Sequence, residues 1–391
     1  MFQRGRMAMR SSCRRRSRLE IVYARLARRL TRVALAGCLA VALVVAGGLG
    51  LAIWALQAGW YAEQAAWRTL YGLGAALTIA AVSYLLALVQ VPAPQPRGIP
   101  LARSVAGALH YRIDKLARRL GLPPPDGVWI TDEMNAAVLQ RPRWGCVGRI
   151  ESHLMIGLPL AHCLSRRQFL AVLAHEFGHL VVQRQAAGGA FGAHLRAWWL
   201  RLADRIAVRH TWLEPWLDRH WRGYTLGMFR LARLEEFAAD ALAARLVGRR
   251  LLGETLVEMS AKDRFLREDY WPKVLAQCST APEPRFRPFR EMGLGVSAGF
   301  NAHSVVNVGF GEGEDGAVSL HPSPAQRLRA LRVPTCAAVP PERSAATHYL
   351  SDLLPRLSWA FDRHWWRLAG RYWRRSYRLA RGERQRAARP G

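Results

Sequence analysis

The chain has 391 residues, 57 of them basic against 28 acidic, for a formal charge of +29, and half are hydrophobic. That hydrophobic share excludes general disorder, and the charge calls for an acidic partner or surface, either nucleic acid or an anionic membrane. The length leaves room for two or three domains, or for one domain with membrane segments.

The hydrophobic pattern decides between the two surfaces. Residues 1–32 form a basic segment with eleven arginines against a single acid, Glu20. No charge then occurs from Val33 to Ala62, and residues 33–57 are long and apolar enough to cross a bilayer. A second run, 69–91, does so again, so residues 33–92 are expected to form a transmembrane helical hairpin. Trp54, Trp60, Tyr61 and Trp67 gather at its turn, where an interfacial aromatic belt belongs. A cleaved signal peptide is the poorer reading: 32 residues precede the run, it is too long for a signal core, and a second span follows. Arginines before Val33 and six basic residues soon after Val91 put both ends in the cytoplasm. The expectation is a multi-pass protein of the cell inner (cytoplasmic) membrane with its body facing the cytoplasm. Six scattered cysteines with no C-x-x-C pair agree with a reducing compartment.

Residues 93–100, within "VPAPQPRGIP", read as a stiff, extended linker that lifts the body off the bilayer. An amphipathic helix closed by Gly121 follows, and then "GVWITDEMNAAVLQ" and "GRIESHLMIGLPL" read as short strands. Ser165 with Gln168 three residues on marks the start of a helix that runs through "LAHEFGHL". On that helix His175 and His179 stand one turn apart on one face and can reach one metal ion. Glu176 is about 100° round, where a carboxylate takes a proton from attacking water instead of binding metal.

A catalytic zinc takes three protein ligands and keeps a position open. The strong helix beginning at Leu234 offers "EEFAAD". Glu236 and Asp240 share a face beside small alanines, and Glu235 points elsewhere. Glu236 is the expected third ligand, with Asp240 accepting a hydrogen bond from a ligand histidine. Between the two helices lies a Trp-rich and Arg-rich stretch, too often charged for a third span and better suited to an amphipathic helix pair facing membrane or core. Residues 336–391 read as a basic aromatic tail lying on anionic lipid in preference to nucleic acid; no specific nucleic acid is expected.

H-E-x-x-H, then E-x-x-A-D on a later helix, after an N-terminal membrane hairpin, resembles the membrane-bound gluzincins that include the CAAX prenyl protease and the bacterial HtpX-type heat-shock proteases. The resemblance covers about Leu101 to Arg332, within an expected protease domain of residues 101–335. It implies a mainly α fold with a small β-sheet, a gluzincin-like zinc core of α+β type. It also implies one Zn²⁺ per chain, held by His175, His179 and Glu236. Asn135 and Ala136 match an Asn-Ala substrate-binding motif of that family. In "HPSPAQR", His321 and Arg327 match the pair that holds the scissile carbonyl oxygen, although these residues taken alone would read as a helix start. The implied activity is zinc-dependent hydrolysis of protein or peptide substrates in membrane protein quality control, with Glu176, His321 and Arg327 catalytic. The substrate backbone is expected to add as a strand along "ESHLMIG", and His153 there to face solvent. The alternative reading is a non-proteolytic membrane scaffold or chaperone with a vestigial zinc site.

Overall fold

The computed structural model describes residues 18–387 apart from 145–146, 187, 286, 303–320 and 335–342. In chain order the elements are helices α1 (Arg18–Tyr61) and α2 (Ala65–Val89), strand β1 (Ile99–Pro100), helix α3 (Gly107–Arg119), and strands β2 (Gly127–Thr131), β3 (Ala136–Trp144) and β4 (Val147–Gly157). Helices follow: α4 (Leu158–Cys163), α5 (Arg166–Gln185), α6 (Gly189–Arg209), α7 (Glu214–Val247), α8 (Arg249–Phe265), α9 (Trp271–Ala276), α10 (Pro288–Ala302), α11 (Pro324–Leu331), α12 (Ala345–Tyr349) and α13 (Leu354–Ala387). This is the expected mainly α chain with a small sheet and two apolar N-terminal helices. Its contacts divide it into two units, the described part of Met1–Pro92 with Gln183–Ala238, and Ala93–Val182 with Ala239–Gly391. Helices α5 and α7 run unbroken through the division.

In the second unit the sheet order is β1-β2-β4-β3, with β2 parallel to β4 and the other pairs antiparallel. This corrects the strand-addition expectation for "ESHLMIG". Those residues lie in β4, whose two sides are taken by β2 and β3, so its backbone groups have no room for another strand. Among the described residues the edges are the two-residue β1 and the longer β3, which carries Pro142, a residue without an N–H to donate and tolerated at edges. His153 also differs from expectation. It is half-buried, with Trp129 Nε1 donating to its Nδ1 at 3.4 Å. The run read as a free linker ends as β1, hydrogen-bonded to β2, and Val91 and Ala93 are buried.

Helix α5 shares the sheet's hydrophobic core and is buried on most of its circumference, through Phe169, Val172, Leu173, Phe177 and Leu180. A helix with so little solvent face reads as core, and its start is the capping box the sequence spells: Gln168 N donates to Ser165 Oγ and Ser165 N to Gln168 Oε1. The core extends further than the sequence boundaries suggest. Ala345, Ala346, Tyr349, Leu357 and Phe361, within the stretch read as a tail, belong to the same cluster as α5. The arginines of α13 hide its apolar side from a composition-based reading. Cys38, Cys163 and Cys278 are free thiols, and Cys13, Cys146 and Cys336 lie outside the described residues.

In the first unit α1 starts fifteen residues before the expected span. Arginine is a good helix former, and Tyr23, Ala27, Leu30, Thr31 and Ala34 are buried at i, i+4, i+7, i+8 and i+11, one continuous stripe. Beyond it Leu39, Leu43, Val44, Leu51, Ile53 and Leu56 are exposed, an apolar surface that calls for lipid. Two helices, Arg18–Tyr61 and Ala65–Val89, are long and apolar enough to cross a membrane. The sequence places the second acidic helix from Leu234; in the fold it is the second half of α7, a single helix of 34 residues.

Candidate metal centre

Helix α5 carries His175, Glu176 and His179, and α7 carries Glu236 and Asp240 one turn apart. The two helices meet at Gly178. A Cβ there would lie 3.0 Å from the Ala239 carbonyl oxygen and 3.1 Å from its Cα, so the smallest side chain lets one backbone rest on the other. That close approach brings one ligand atom each from His175, His179 and Glu236 within 4.8 Å of one another. The His175 and His179 Nε2 atoms are 3.2 Å apart, and Glu236 is buried.

The donor set fits zinc. Two imidazole nitrogens at about 2.0–2.1 Å from a tetrahedral ion lie about 3.3–3.4 Å apart, close to the distance seen here. A buried carboxylate completes the three-ligand pattern that leaves a position open. Glu176 lies half-buried on the same helix and is not one of the three.

Behind the histidines stands a second polar layer. His175 Nδ1 is 3.0 Å from Asp240 Oδ1, which leaves Nε2 turned towards His179. Arg327, on α11, donates through Nε to Asp240 Oδ2 at 2.8 Å and through Nη2 to Oδ1 at 2.6 Å, a two-pronged pair. Nη2 also lies 3.3 Å from the His175 ring. Burial alone would raise the Asp240 carboxyl, but hydrogen bonds from Arg327 and His175 outweigh it and hold the group below the usual carboxylate range.

The sequence profile described as Peptidase family M48 matches residues 104–335, more than half of the chain. The chain belongs to Peptidase family M48. Over 233 residues it is 27% identical to the "Protease HtpX homolog" of Pyrococcus abyssi, a match covering 58% of this chain and 73% of that protein. Membership in M48 makes the chain a metallopeptidase, and its two apolar helices beside the HtpX likeness mark a membrane protease.

The remaining expected residues of this M48 chain fall into place unevenly. Asn135 is exposed at the head of β3, where its Oδ1 accepts from Ala136 N at 2.8 Å and its carbonyl from Gly157 N at 2.8 Å. Ala136 is buried opposite Ile156. His321 is exposed in the bend before α11, whose start is a second capping box, Ser323 with Gln326. Arg327 reaches the metal centre but commits two nitrogens to Asp240, a pairing the sequence reading did not foresee. Glu235 has other partners than the candidate ligands: Gln183 Nε2 donates to its Oε1 at 2.7 Å and Tyr23 Oη to its Oε2 at 3.0 Å. Gly178 and this three-residue tie were missed. A glycine amid the H-E-x-x-H helix, where it costs helix stability, was the available signal for the first.

Proposed function

We propose that this M48 member is a membrane-anchored zinc endopeptidase that cleaves damaged or misassembled membrane proteins at the cytoplasmic face of the inner membrane. The observation that carries the reading is the 3.2 Å approach of His175 and His179 Nε2 with a Glu236 carboxylate oxygen beside them. These three residues hold the ion; when bound, zinc supplies Lewis acidity, making water a nucleophile near neutral pH and polarising the scissile carbonyl. Asp240 holds His175 in the tautomer with Nδ1 protonated, and Arg327 holds Asp240 ionised. Glu176 takes a proton from the attacking water on its carboxylate and returns it to the leaving amine nitrogen.

An extended substrate adds to the open edge of β3, where main-chain hydrogen bonds align it beside Asn135 and Ala136. Pro142 limits that pairing towards the far end of the strand. His321 donates to the developing oxyanion, and Arg327, already shared with Asp240, contributes mainly its field. The arginines before Val33 and after Val91 keep both chain ends, and the peptidase with them, on the cytoplasmic side.

Zinc per chain in detergent-purified wild type and Glu236→Ala tests this reading without any assumption about substrate. About one zinc per wild-type chain and much less in the variant is the expected result. No zinc in folded wild type overturns it and leaves a non-proteolytic scaffold with a vestigial site.

A further inference from the structure

The stretch between the two metal-binding helices is charged and Trp-rich, which argues against a span, yet it is tied to the membrane hairpin along its length. Starting from the N-terminal end of α6, Arg196 is buried and donates to Thr31 Oγ1 at 2.7 Å, and Trp199 Nε1 donates to the Ala34 carbonyl at 2.8 Å. Gly37 admits the same indole: a Cβ on it would lie 2.5 Å from the Trp199 ring. Thr31, Ala34 and Gly37 lead into the apolar run of α1, so α6 descends beside that helix. At the lower end Arg205 donates to the Gln90 carbonyl, and His210 is hydrogen-bonded to Tyr84. Tyr84 stands five residues before the end of α2, about 8 Å along its axis, inside the span.

The turn joining α6 to α7 is therefore held at the level of the membrane helices, and it exposes three large apolar side chains beside the charged Arg209 and Glu214. Val208 is 81% exposed, Trp212 75% and Trp216 53%. Arg201 and Arg205 precede this tip, Arg209 and Glu214 lie within it, and Asp218, Arg219 and Arg222 follow it. Long arginine side chains can carry their charges back to head groups while their stems lie in apolar surroundings. Indole rings sit well at that boundary. The charge that rules out a third span thus suits a hairpin that dips and returns.

We propose that the α6–α7 turn, with Val208, Trp212 and Trp216 at its tip, is immersed in the cytoplasmic leaflet of the bilayer as a third, non-spanning membrane contact. The proposal rests on the reading of α1 and α2 as membrane spans. Its consequence runs along α7. Trp216 and Glu236 are twenty residues apart on one uninterrupted helix, about 30 Å, so one rod joins a lipid-immersed end to a metal ligand.

The test uses the full chain reconstituted into vesicles of phosphatidylcholine carrying a photoreactive diazirine in its acyl chain, with adducts mapped by mass spectrometry after illumination. Adducts on α1, α2 and the 208–216 peptide, with α3 and α8 unlabelled, are expected. Trp212→Glu with Trp216→Glu should cut labelling of that peptide several-fold and leave labelling of α1 and α2 unchanged, which also reports that the variant is folded. Labelled α1 and α2 with an unlabelled 208–216 peptide overturns the proposal, as does a crosslink from that peptide to a second copy of the chain in place of lipid. Absence of label on α1 and α2 overturns the membrane reading itself, a separate failure.

Discussion

His162 and His175 lie on successive helices of the same unit, and both are buried, 8% and 7% exposed. Their surroundings differ completely. Neither ring nitrogen of His162 has a hydrogen-bond partner among the described residues, and a Cβ on Gly293 of α10 would lie 3.0 Å from its Nδ1. Burial pushes its pKa down to about 4, so the ring is a neutral packing group. His175 has Asp240 behind Nδ1, Arg327 beyond that carboxylate, and a second imidazole nitrogen 3.2 Å in front of Nε2. Burial desolvates both rings alike. A candidate ligand differs from a core histidine here by what stands on its two nitrogens.

The largest effect expected from this contrast is catalytic. Glu176→Gln should keep about one zinc per chain yet lower peptide hydrolysis by about 10²–10⁴-fold, the usual share of a positioned proton acceptor. His162→Leu should leave hydrolysis near wild type. A Glu176→Gln enzyme that cleaves a protein substrate at the wild-type rate would sink the mechanism. Next comes stability. The folded His162 ring stays neutral to about pH 4, whereas in the unfolded chain it takes a proton near pH 6.5. Above 6.5 both states are neutral and nothing is lost. Between 6.5 and 4 the unfolded state alone binds the proton, so stability falls with pH by up to about 3 kcal/mol. Other groups titrate in that window too, so the measurement is the difference between wild type and His162→Leu in denaturant midpoint at pH 7.5 and 4.5. Parallel curves for the two proteins would mean that His162 is hydrated or paired in solution.

The same contrast explains what was legible in the sequence. His175, Glu176 and His179 could be read because helical spacing fixes neighbours on one element, and Glu236 with Asp240 for the same reason. Pairing the two groups needed only that two helices pack. The Arg327–Asp240 pair could not be read in that way, since Arg327 lies 87 residues beyond Asp240 and no periodicity spans such a distance. The strand order failed to show as well. β4 reads as a good strand, but an interior and an edge strand differ in their neighbours, which the local pattern does not encode. Likewise the arginines of α1 and α13 drew boundaries at residues 33 and 336 that the apolar stripes beneath them ignore.

Asp240→Asn tests the layer behind the metal ligands. The amide keeps the shape but loses the charge that pairs with Arg327 and draws the His175 Nδ1 proton. Zinc affinity should fall about 10–100-fold, the usual cost of disturbing a carboxylate that orients a ligand imidazole. Competition with a chromophoric chelator reads this directly. Retention of full affinity would reduce the Asp240–Arg327 pair to a structural link between α7 and α11.

The smallest effect belongs to the tie beside the ligands. Gln183 lies one turn after His179 on α5, Glu235 directly precedes Glu236 on α7, and their hydrogen bond sets the two helices in register next to the site. Tyr23 adds a second donor to the same carboxylate from the N-terminal part of α1. In Tyr23→Phe the Gln183 bond survives, so thermal unfolding should report a loss of about 1 kcal/mol and chelator competition a change in zinc affinity of less than about threefold. A fall as large as that of Asp240→Asn would show that the position of α1 reaches the metal through Glu235. The membrane helix would then belong to the ligand-setting machinery, and the line between packing group and ligand drawn from His162 and His175 would have to include it.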